Sequence, residues 1–533
     1  MRAEPAVPTG ERLGLARLAG ALAALTGWRR HAAAVLCGVL ATAAFAPLYL
    51  VPLLVLAFAG LLWLLDGTRR PRQAFTLGWS FGFGHMATGF YWVGIAFLVD
   101  AERFGFIMPI AVVGLAAGLA LFPALALLPV GWLGWRGPAR VALLAGAWLA
   151  VEWLRSWVLT GFPWNLMGSV WSFSPAVIQL AAATGVWGLS LMTVLAAAAP
   201  AVLAAPGIGG PAPRRHRIFA GAMLLLPALA WAGGTVRLAA APAPGEDVVQ
   251  GVRLRLVQAS IDQSQKWRGE LRQEHVERQM RLSVGPGFER ISHVIWPETA
   301  VPYLLNEEPD VRSFLARVVP PGGLLITGAP RGAGPAGARK VWNSLFALDG
   351  RGKVVATYDK HHLVPFGEYV PLRGLLGLDK LTPGRIDFSP GPGPVNLNLP
   401  GLPPASPLIC YEAIFPGRVS PPDARPAWLL NITNDAWFGT SSGPYQHLAG
   451  ARLRAVEEGL ALVRVANSGV TALIDGYGRM WGRLGLNEVG VLDVPLPRPL
   501  SGLTPYARMG NWAVLLLLLG VGLYTLILRR FSP

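Results

Sequence analysis

Long apolar segments separated by short basic loops are the feature that most constrains how this chain can fold. Such segments follow one another from residue 32 to residue 236, and one more lies close to the C-terminal end. A helix needs about 20 apolar residues to cross a bilayer. The segments predicted to cross are 32–48, 49–65, 74–99, 107–130, 140–159, 177–203, 217–236 and 512–528. The first two form one run broken at Pro47, which favours a hairpin over a single helix.

The composition also indicates a membrane protein. The 533-residue chain is 53% hydrophobic and only 14% charged, whereas a soluble protein usually carries about 25% charged residues. A net charge of +16 can indicate nucleic-acid binding. Here, however, the arginines lie mainly between apolar segments, and the sequence contains no lysine-rich arm. We therefore expect a membrane-embedded protein with no nucleic-acid partner.

The arginine clusters in the loops predict the topology. With seven N-terminal crossings, every cluster falls on the side that the positive-inside rule makes cytoplasmic. The clusters lie at 29–30, 69–72, 136–140, 214–217 and 529–530. With six crossings the later clusters would change sides. We therefore expect a transmembrane domain of seven spans at 1–236, an extracytoplasmic domain at 237–510, and a last transmembrane helix with a cytoplasmic tail at 511–533.

Between residues 237 and 510 the sequence pattern is typical of an α/β domain. Short apolar runs alternate with helical stretches at 270–282 and 447–459. The predicted strands are 252–258, 293–296, 324–327, 344–348, 408–411, 428–432, 462–466 and 471–474. Because α/β enzymes place their chemistry at strand ends, the polar residues at these ends are the candidates for a functional site.

Three strand ends carry such candidates. Glu298 follows a strand and a proline, Lys360 lies in an apolar, aromatic loop, and Cys410 ends an apolar run. The only other cysteine is Cys37, which lies in an apolar N-terminal segment. A lone thiol is either buried and inert or a nucleophile that needs a base and a nearby cation. From the residues alone, a solvated Glu298 and a structural Cys410 remain open alternatives.

Neither a metal nor an organic cofactor is expected. His361 and His362 are adjacent, so they cannot easily face one ion, and no third ligand is apparent. The sequence also has no phosphate-binding glycine loop between a strand and a helix.

Glutamate, lysine and cysteine, in that order at strand ends, resemble the nitrilase superfamily. The apolar segments on both sides narrow the resemblance to the apolipoprotein N-acyltransferase family. The motifs that carry it are GFPWN at 161–165, QKW at 265–267, WPE at 296–298, HLVPFGEY at 362–369, ICYE at 409–412, NDAWFG at 434–439 and NSGVT at 467–471. The resemblance implies an α/β fold, a nitrilase-like α-β-β-α sandwich inserted between seven N-terminal transmembrane helices and one C-terminal helix.

The resemblance also implies a two-step acyl transfer without a metal or cofactor. Cys410 would be the nucleophile, Glu298 the general base and Lys360 the cation beside the oxyanion. The acyl donor would be a membrane phospholipid, and the acceptor would be the N-terminal amine of the diacylglyceryl cysteine of an apolipoprotein. The reaction would pass through a thioester acyl-enzyme. The expected location is the bacterial inner membrane, with the catalytic domain on the periplasmic side.

Three further residues are expected to assist this centre. The resemblance places Glu368 near the nucleophile as a second carboxylate, with Tyr411 and Glu412 as supports. The residues themselves leave open that Glu412 is instead the partner that holds Lys360 in position.

Two tryptophans and two loops are expected to contact the lipid. The resemblance favours acyl-chain or lid contacts for Trp267 and Trp437, although both could be ordinary packing aromatics. The loops at 366–369 and 437–445 are candidates for gating.

The sequence leaves two other functions open. One is a membrane-tethered carbon–nitrogen hydrolase that uses the same triad on a small amide or nitrile. The other is a transporter with a large extracytoplasmic domain.

Overall fold

The structure is a computed structural model and describes residues 10–68, 70–204, 212–335, 338–371, 380–381 and 386–530. Position 69 of the basic cluster at 69–72 lies outside the described residues. The chain forms two compact units. The first comprises Met1–Tyr91, Ile110–Thr235 and Asn511–Pro533, and the second comprises Trp92–Pro109 and Val236–Gly510.

The helices of both units are numbered along the chain. They are α1 (Gly10–Ala24), α2 (Gly27–Thr42), α3 (Leu53–Asp66), α4 (Pro71–Gly89), α5 (Ile95–Leu98), α6 (Ala101–Phe104), α7 (Met108–Leu119), α8 (Leu121–Leu133), α9 (Gly137–Arg155), α10 (Ala181–Ala198), α11 (Arg214–Ala239), α12 (Arg272–Ser283), α13 (Pro309–Leu315), α14 (Gly443–Glu458), α15 (Pro505–Met509) and α16 (Trp512–Arg530).

The described residues of the first unit form helices joined by turns and short irregular segments, and several of these helices suit a membrane. Four helical stretches are long and apolar enough to cross one. They are Met108–Leu133, Val177–Leu203, Arg214–Ala239 and Trp512–Arg530. The helix α3 is apolar but shorter. The number of crossings, seven and one, therefore stays a prediction.

Glycines let two helices of this unit approach closely. A Cβ atom at Gly38 of α2 would lie 2.0 Å from the carbonyl oxygen of Phe81 in α4. A Cβ atom at Gly84 of α4 would lie 2.2 Å from the carbonyl oxygen of Val35. Any larger residue would push the two helices apart, as is common where helices pack through small residues.

The segment predicted to cross at 74–99 is only partly one helix. The helix α4 ends at Gly89 and is followed by a 3₁₀ turn at Tyr91–Gly94. Residues 92–109 belong to the second unit, where the Trp92 side chain is buried. A hydropathy run cannot reveal this boundary, because Trp92 is buried by packing against protein and is as apolar as a residue facing lipid.

The strands of the second unit form two sheets. Their bounds are β1 (Val248–Gln258), β2 (His293–Ile295), β3 (Leu324–Ala333), β4 (Lys340–Leu348), β5 (Val354–Asp359), β6 (Ala405–Ile409), β7 (Trp428–Asn434), β8 (Ala461–Asn467), β9 (Thr471–Ile474), β10 (Met480–Leu484) and β11 (Gly490–Pro497). One sheet has the order β11-β1-β2-β3-β4-β5 and the other β10-β9-β8-β7-β6. The strands β5, β10 and β11 were not predicted from the sequence.

Three hydrophobic clusters divide this unit into four layers. Between the sheets, Leu256 and Ile295 of the first sheet and Ile409 and Val463 of the second belong to one buried cluster. The other face of the six-stranded sheet packs on α12 and α13, and the other face of the five-stranded sheet packs on α14. Each such buried aliphatic side chain stabilises the fold by about 1.5–3 kcal/mol. The layers therefore follow the α-β-β-α order that the resemblance implies.

The direction of the strands brings the candidate residues to corresponding ends. The strands β1, β2 and β3 are parallel, and so are β6, β7 and β8. Because β4 is antiparallel to both β3 and β5, β5 points the same way as β3. The chain therefore leaves β2 and β5 at the same edge of the first sheet, and it leaves β6 at the carboxyl edge of the second.

Candidate active site

Cys410 occupies a strained turn directly after β6. The 3₁₀ turn Cys410–Ile414 begins where the strand ends, and the Cys410 backbone has φ +53°. A non-glycine residue in this left-handed region costs about 1–3 kcal/mol and persists only where the surroundings hold it. The side chain is largely buried, with 8% of the residue exposed. The turn therefore presents a free thiol at the edge of the sheet.

Glu298 enters the site from the turn that follows β2. This turn lies directly against β3, because a Cβ atom at Gly328 would be 2.6 Å from the Glu298 Cα atom. The next residue, Thr299, also has positive φ, at +51°. Glu298 is buried, and its Oε1 atom accepts a 2.7 Å hydrogen bond from Nδ2 of Asn343. The carboxylate is therefore not solvated, which excludes the solvated alternative.

Lys360 follows β5 and lies between two carboxylates. Only 1% of the residue is exposed. Its Nζ atom is 2.9 Å from Oε2 of Glu368 and 3.9 Å from Oε1 of Glu298. Burial opposes the charge, but Glu368 and then Glu298 outweigh it and hold the pKa of Lys360 above its ordinary value. Lys360 therefore favours its charged ammonium form.

Asn343 of β4 connects the two carboxylates, and sequence reasoning missed it. Its Nδ2 atom donates to Oε1 of Glu298 at 2.7 Å and to Oε1 of Glu368 at 2.8 Å. The backbone carbonyl oxygen of Asn343 also accepts a 2.9 Å hydrogen bond from the backbone N–H of Lys360. One residue thus positions three charged groups. No signal in the sequence distinguishes it from an ordinary strand asparagine, because its role depends on loops distant in the chain.

Burial determines which form of the thiol is present at rest. Burial and the nearby Glu298 carboxylate raise the pKa of Cys410 above its ordinary value, whereas Lys360 acts in the opposite direction. Burial also raises the pKa of Glu298, with Lys360 opposing it. The resting pair is therefore a neutral thiol beside a carboxylate whose proton affinity is increased. This arrangement suits a general base that accepts the thiol proton during attack.

Glu412 supports the turns around Cys410 and does not form an ion pair with Lys360. Its oxygens accept hydrogen bonds from the Tyr358 hydroxyl, and from the backbone N–H groups of His361 at 2.8 Å and Ile409 at 2.7 Å. Among the described residues, Lys360 forms ion pairs with Glu368 and Glu298 and none with Glu412, which it influences only through its charge. The alternative that assigned Glu412 to Lys360 is therefore wrong. Burial opposes the ionised form of Glu412, but its contacts with His361 hold its pKa below the ordinary value.

Tyr411 lies in an aromatic cluster beside the nucleophile. Its ring centroid is 5.0 Å from that of Phe415 in an edge-on arrangement, and 5.6 Å from that of His362. Such pairs add about 0.5–1.5 kcal/mol each. The cluster anchors the turn that carries Cys410.

Lys266 is a second buried cation. It belongs to the QKW motif at 265–267, but the sequence analysis assigned it no role. Its Nζ atom donates to the carbonyl oxygen of Glu298 at 3.1 Å. Burial lowers the pKa of Lys266 to about 8, while Glu298 and Cys410 favour its charged form. The next residue, Trp267, is half-buried, and its contact with an acyl chain stays a prediction.

The loop that contains Trp437 is held by the segment 92–109 of the same unit. Trp437 itself is half-buried. The ring of its neighbour Phe438 lies 4.5 Å from that of Trp92, edge to face, and Nε1 of Trp92 donates to Oε1 of Gln446 at 3.1 Å. The sequence did not predict this contact. The proposed lid role of Trp437 stays a prediction.

Within the described ranges, no group of three or more His, Cys, Asp or Glu side chains is placed to hold a metal ion.

Comparisons with known proteins agree with this architecture. A family model described as the apolipoprotein N-acyltransferase N-terminal domain matches residues 37–199, and one described as carbon–nitrogen hydrolase matches residues 253–506. The chain is 41% identical to an apolipoprotein N-acyltransferase of Rhodopseudomonas palustris over 97% of this chain and 98% of the relative. It is 38% identical to one of Brucella suis over 97% and 100%.

Among solved structures, an amidase mutant from Nesterenkonia sp. AN1 aligns with 47% of this chain and 92% of its own, at 22% identity. The TM-score is 0.34, too low to support an argument. The near-complete matches to the curated relatives are the decisive comparison, and they confirm the resemblance. The carbon–nitrogen hydrolase match covers the two-sheet unit and supports its nitrilase-like α/β fold. This chain belongs to the apolipoprotein N-acyltransferase family.

Proposed function

We propose that this chain transfers an acyl chain from a membrane phospholipid to the N-terminal amine of the diacylglyceryl cysteine of an apolipoprotein. Membership of the family supports the activity. The observation that carries the residue roles is the position of the Lys360 ammonium, 2.9 Å from Glu368 and 3.9 Å from Glu298. Cys410 lies within the electrostatic reach of both Glu298 and Lys360. A buried thiol, base and cation together match the needs of acyl transfer.

In the first step the thiol attacks the ester carbonyl of the donor. Glu298 accepts the Sγ proton as the S–C bond forms, and Lys360 stabilises the negative charge that develops on the carbonyl oxygen. When the tetrahedral intermediate collapses, the ester C–O bond breaks. The leaving alkoxide takes the proton from Glu298 and departs as a lysophospholipid. The acyl chain remains on Cys410 as a thioester.

In the second step the amine of the acceptor attacks the thioester. The N–C bond forms, the S–C bond breaks, and Glu298 accepts the proton that the amine loses. That proton returns to the Cys410 thiolate, which restores the resting thiol. An amide is much less reactive than a thioester, so the transfer proceeds in this direction, and the two half-reactions predict ping-pong kinetics.

The membrane arrangement belongs to the same proposal. We propose seven crossings in residues 1–236 and one in 511–533, in the bacterial inner membrane, with the catalytic domain at 237–510 on the periplasmic side. The arginine clusters all lie on one side in this arrangement. Both proposed substrates carry acyl chains in the leaflet nearest to that domain, so the thiol would reach the ester without extracting the lipid.

The test is intact-protein mass spectrometry after incubation with phospholipid. Wild type should gain one acyl mass that hydroxylamine removes, and Cys410→Ala should gain none. Addition of a peptide with an N-terminal diacylglyceryl cysteine should then transfer the acyl mass to the peptide. If wild type gains no acyl mass, or if Cys410→Ala gains the same one, the covalent mechanism is wrong.

The rival function is hydrolysis of a small amide or nitrile. The match of residues 253–506 to the carbon–nitrogen hydrolase family supports it as an alternative. The same triad would then use water as the acceptor. An enzyme that hydrolyses small amides but never acylates the peptide would establish the rival and refute the transferase.

A further inference from the structure

We propose that His447 is a positioning residue for the acyl transfer, because it holds the backbone of Cys410 in the left-handed conformation that the nucleophile requires. The inference rests on the proposed function of Cys410. His447 lies in the first part of α14, and its Nε2 atom is 3.1 Å from the carbonyl oxygen of Cys410. No part of His447 is exposed to solvent. Sequence reasoning assigned this histidine no role.

The chemistry of this contact requires a hydrogen on Nε2. A carbonyl oxygen can only accept a hydrogen bond, so Nε2 of His447 must carry a hydrogen and donate it. The Cys410 backbone has φ +53°, which a cysteine adopts only when its surroundings hold it there. The bond to His447 fixes the carbonyl that immediately follows the strained φ angle. It therefore controls the direction in which the Cys410 side chain leaves the backbone.

A buried ionic network fixes the imidazole in turn. The Nδ1 atom of His447 is 2.9 Å from Oδ1 of Asp435, and Nη2 of Arg464 is 2.7 Å from Oδ2 of the same carboxylate. Thr433 also donates to Oδ1 of Asp435, at 3.0 Å. Arg464 is further held by Asn431, at 2.5 Å. Nη2 of Arg464 also lies 3.1 Å from Nδ1 of His447. The network therefore holds the ring from its Nδ1 side and leaves its Nε2–H directed at the Cys410 carbonyl.

The location of this network is best explained by the nucleophile. Asn431 and Thr433 lie in β7, Arg464 lies in β8, and Asp435 follows β7 directly. All are buried. A buried ion pair is seldom the most stabilising choice for a core, since apolar residues of the same size often do better. Here the pair directs one donor onto the residue that carries the reactive thiol.

The test compares two replacements of His447. In His447→Gln the side-chain amide can still donate to the Cys410 carbonyl, whereas in His447→Leu it cannot. Because a displacement of about 1 Å can cost about 100-fold in rate, His447→Leu should slow thioester formation by about 10- to 100-fold. The KM for the phospholipid donor should change little. His447→Gln should restore most of the loss.

His293 supplies a matched control in the same unit. It is also buried, and its Nε2 atom lies 3.1 Å from the carbonyl oxygen of Pro400. His293 begins β2, whereas Glu298 and Cys410 follow the carboxyl ends of their strands. His293→Leu should lower the melting temperature in the same way as His447→Leu, yet leave thioester formation unchanged at temperatures where both are folded. A second readout, the rate at which iodoacetamide alkylates Cys410, does not depend on the acyl acceptor or donor.

The outcomes separate this inference from the proposed function. If wild type forms no thioester, the proposed function fails, while slower alkylation in His447→Leu than in His293→Leu still supports the positioning role. If the two leucine variants alkylate and acylate at equal rates, His447 is only structural and the inference is wrong. If folded His447→Gln is no better than His447→Leu, the hydrogen bond is not what matters, and the inference is equally wrong.

Discussion

Replacement of Asn343 by leucine tests whether one amide group sets the proton affinity of the general base. The substitution nearly preserves volume but removes the hydrogen bonds of 2.7 Å to Glu298 and 2.8 Å to Glu368. A hydrogen bond to a charged group contributes about 1.5–3 kcal/mol. At 1.36 kcal/mol per pKa unit, the loss of the Glu298 bond alone should raise the pKa of that carboxyl by about one to two units.

The direction of the pKa shift follows from the form of the Glu298 carboxyl that Asn343 stabilises. Its N–H stabilises the ionised form and opposes the raising effect of burial on the pKa of Glu298. Without it, Glu298 takes up a proton at higher pH and is no longer a base there. Thioester formation by Asn343→Leu should therefore be slow near neutral pH and should recover as the pH rises, because deprotonation of Glu298 restores the base.

The assay is the rate of thioester formation, measured from quenched samples by mass spectrometry between about pH 5.5 and 9, a window set by the expected shift of one to two units. Asn306→Leu is the matched control, because Nδ2 of Asn306 donates to the carbonyl oxygen of Gly332 at 2.8 Å and contacts no carboxylate through that bond. The acidic limb of the curve of rate against pH should shift only in Asn343→Leu. A uniform loss of rate with an unmoved limb, or a limb moved to lower pH, would refute the reasoning.

Three other perturbations address neighbouring groups. Lys266 should lose its proton near pH 8. Its charge favours negative charge on Cys410 as well as on Glu298, so it should stabilise the charge that develops during attack. Thioester formation should therefore fall as pH rises through that value, and Lys266→Arg, which stays charged, should lack the fall. An identical alkaline limb in both proteins would contradict this. In Glu412→Gln the new NH₂ group would face N–H donors. The free energy of unfolding, measured in urea, should therefore drop by about 1–3 kcal/mol. Unchanged stability would show that these hydrogen bonds contribute little. Trp92→Ala removes the contacts with Phe438 and Gln446. Amide hydrogen exchange at 435–443 should therefore accelerate. Unaltered protection of these amides would show that Trp92 does not hold the loop.

The apolar patterns were sufficient for the existence of most strands, and the family resemblance implied the layers, but several strand ends differ from the predicted ones, as in β3, which ends at Ala333 rather than at 327. Alternating and continuous apolar runs predicted eight of the strands, and two of these, β2 and β6, lead into Glu298 and Cys410. Lys360 follows β5, which was not predicted. The missed strands β5, β10 and β11 are partly exposed and carry mixed patterns. Two of them, β5 and β11, are the outer strands of the six-stranded sheet, and β10 is an outer strand of the other. Outer strands are buried less, so their patterns identify them less well.

The contacts that complete the site could not be read from the sequence. Asn343 lies 45 residues from Glu298 and 25 from Glu368 in the chain, and His447 lies 37 residues from Cys410. None of these spacings has a periodicity that predicts contact. The helix break after Gly89 was missed for the same reason, since Trp92 is buried by residues more than 300 positions away, including Gln446 at a separation of 354.

The ionisation of the site is a further property that residue types alone do not supply. A lysine near a cysteine was expected to favour the thiolate, and Lys360 does act in that direction. Burial and the Glu298 carboxylate act more strongly in the opposite direction and keep the thiol protonated. Lys360 is itself occupied at rest by Glu368, at 2.9 Å. In the proposed mechanism the cation is directed chiefly at the charge that would appear during attack, because a developing oxyanion is a new acceptor in a buried site where hydrogen bonds to charge are strong. The proposed activation of Cys410 is therefore proton transfer to Glu298 at the moment of attack, rather than storage of a thiolate beforehand.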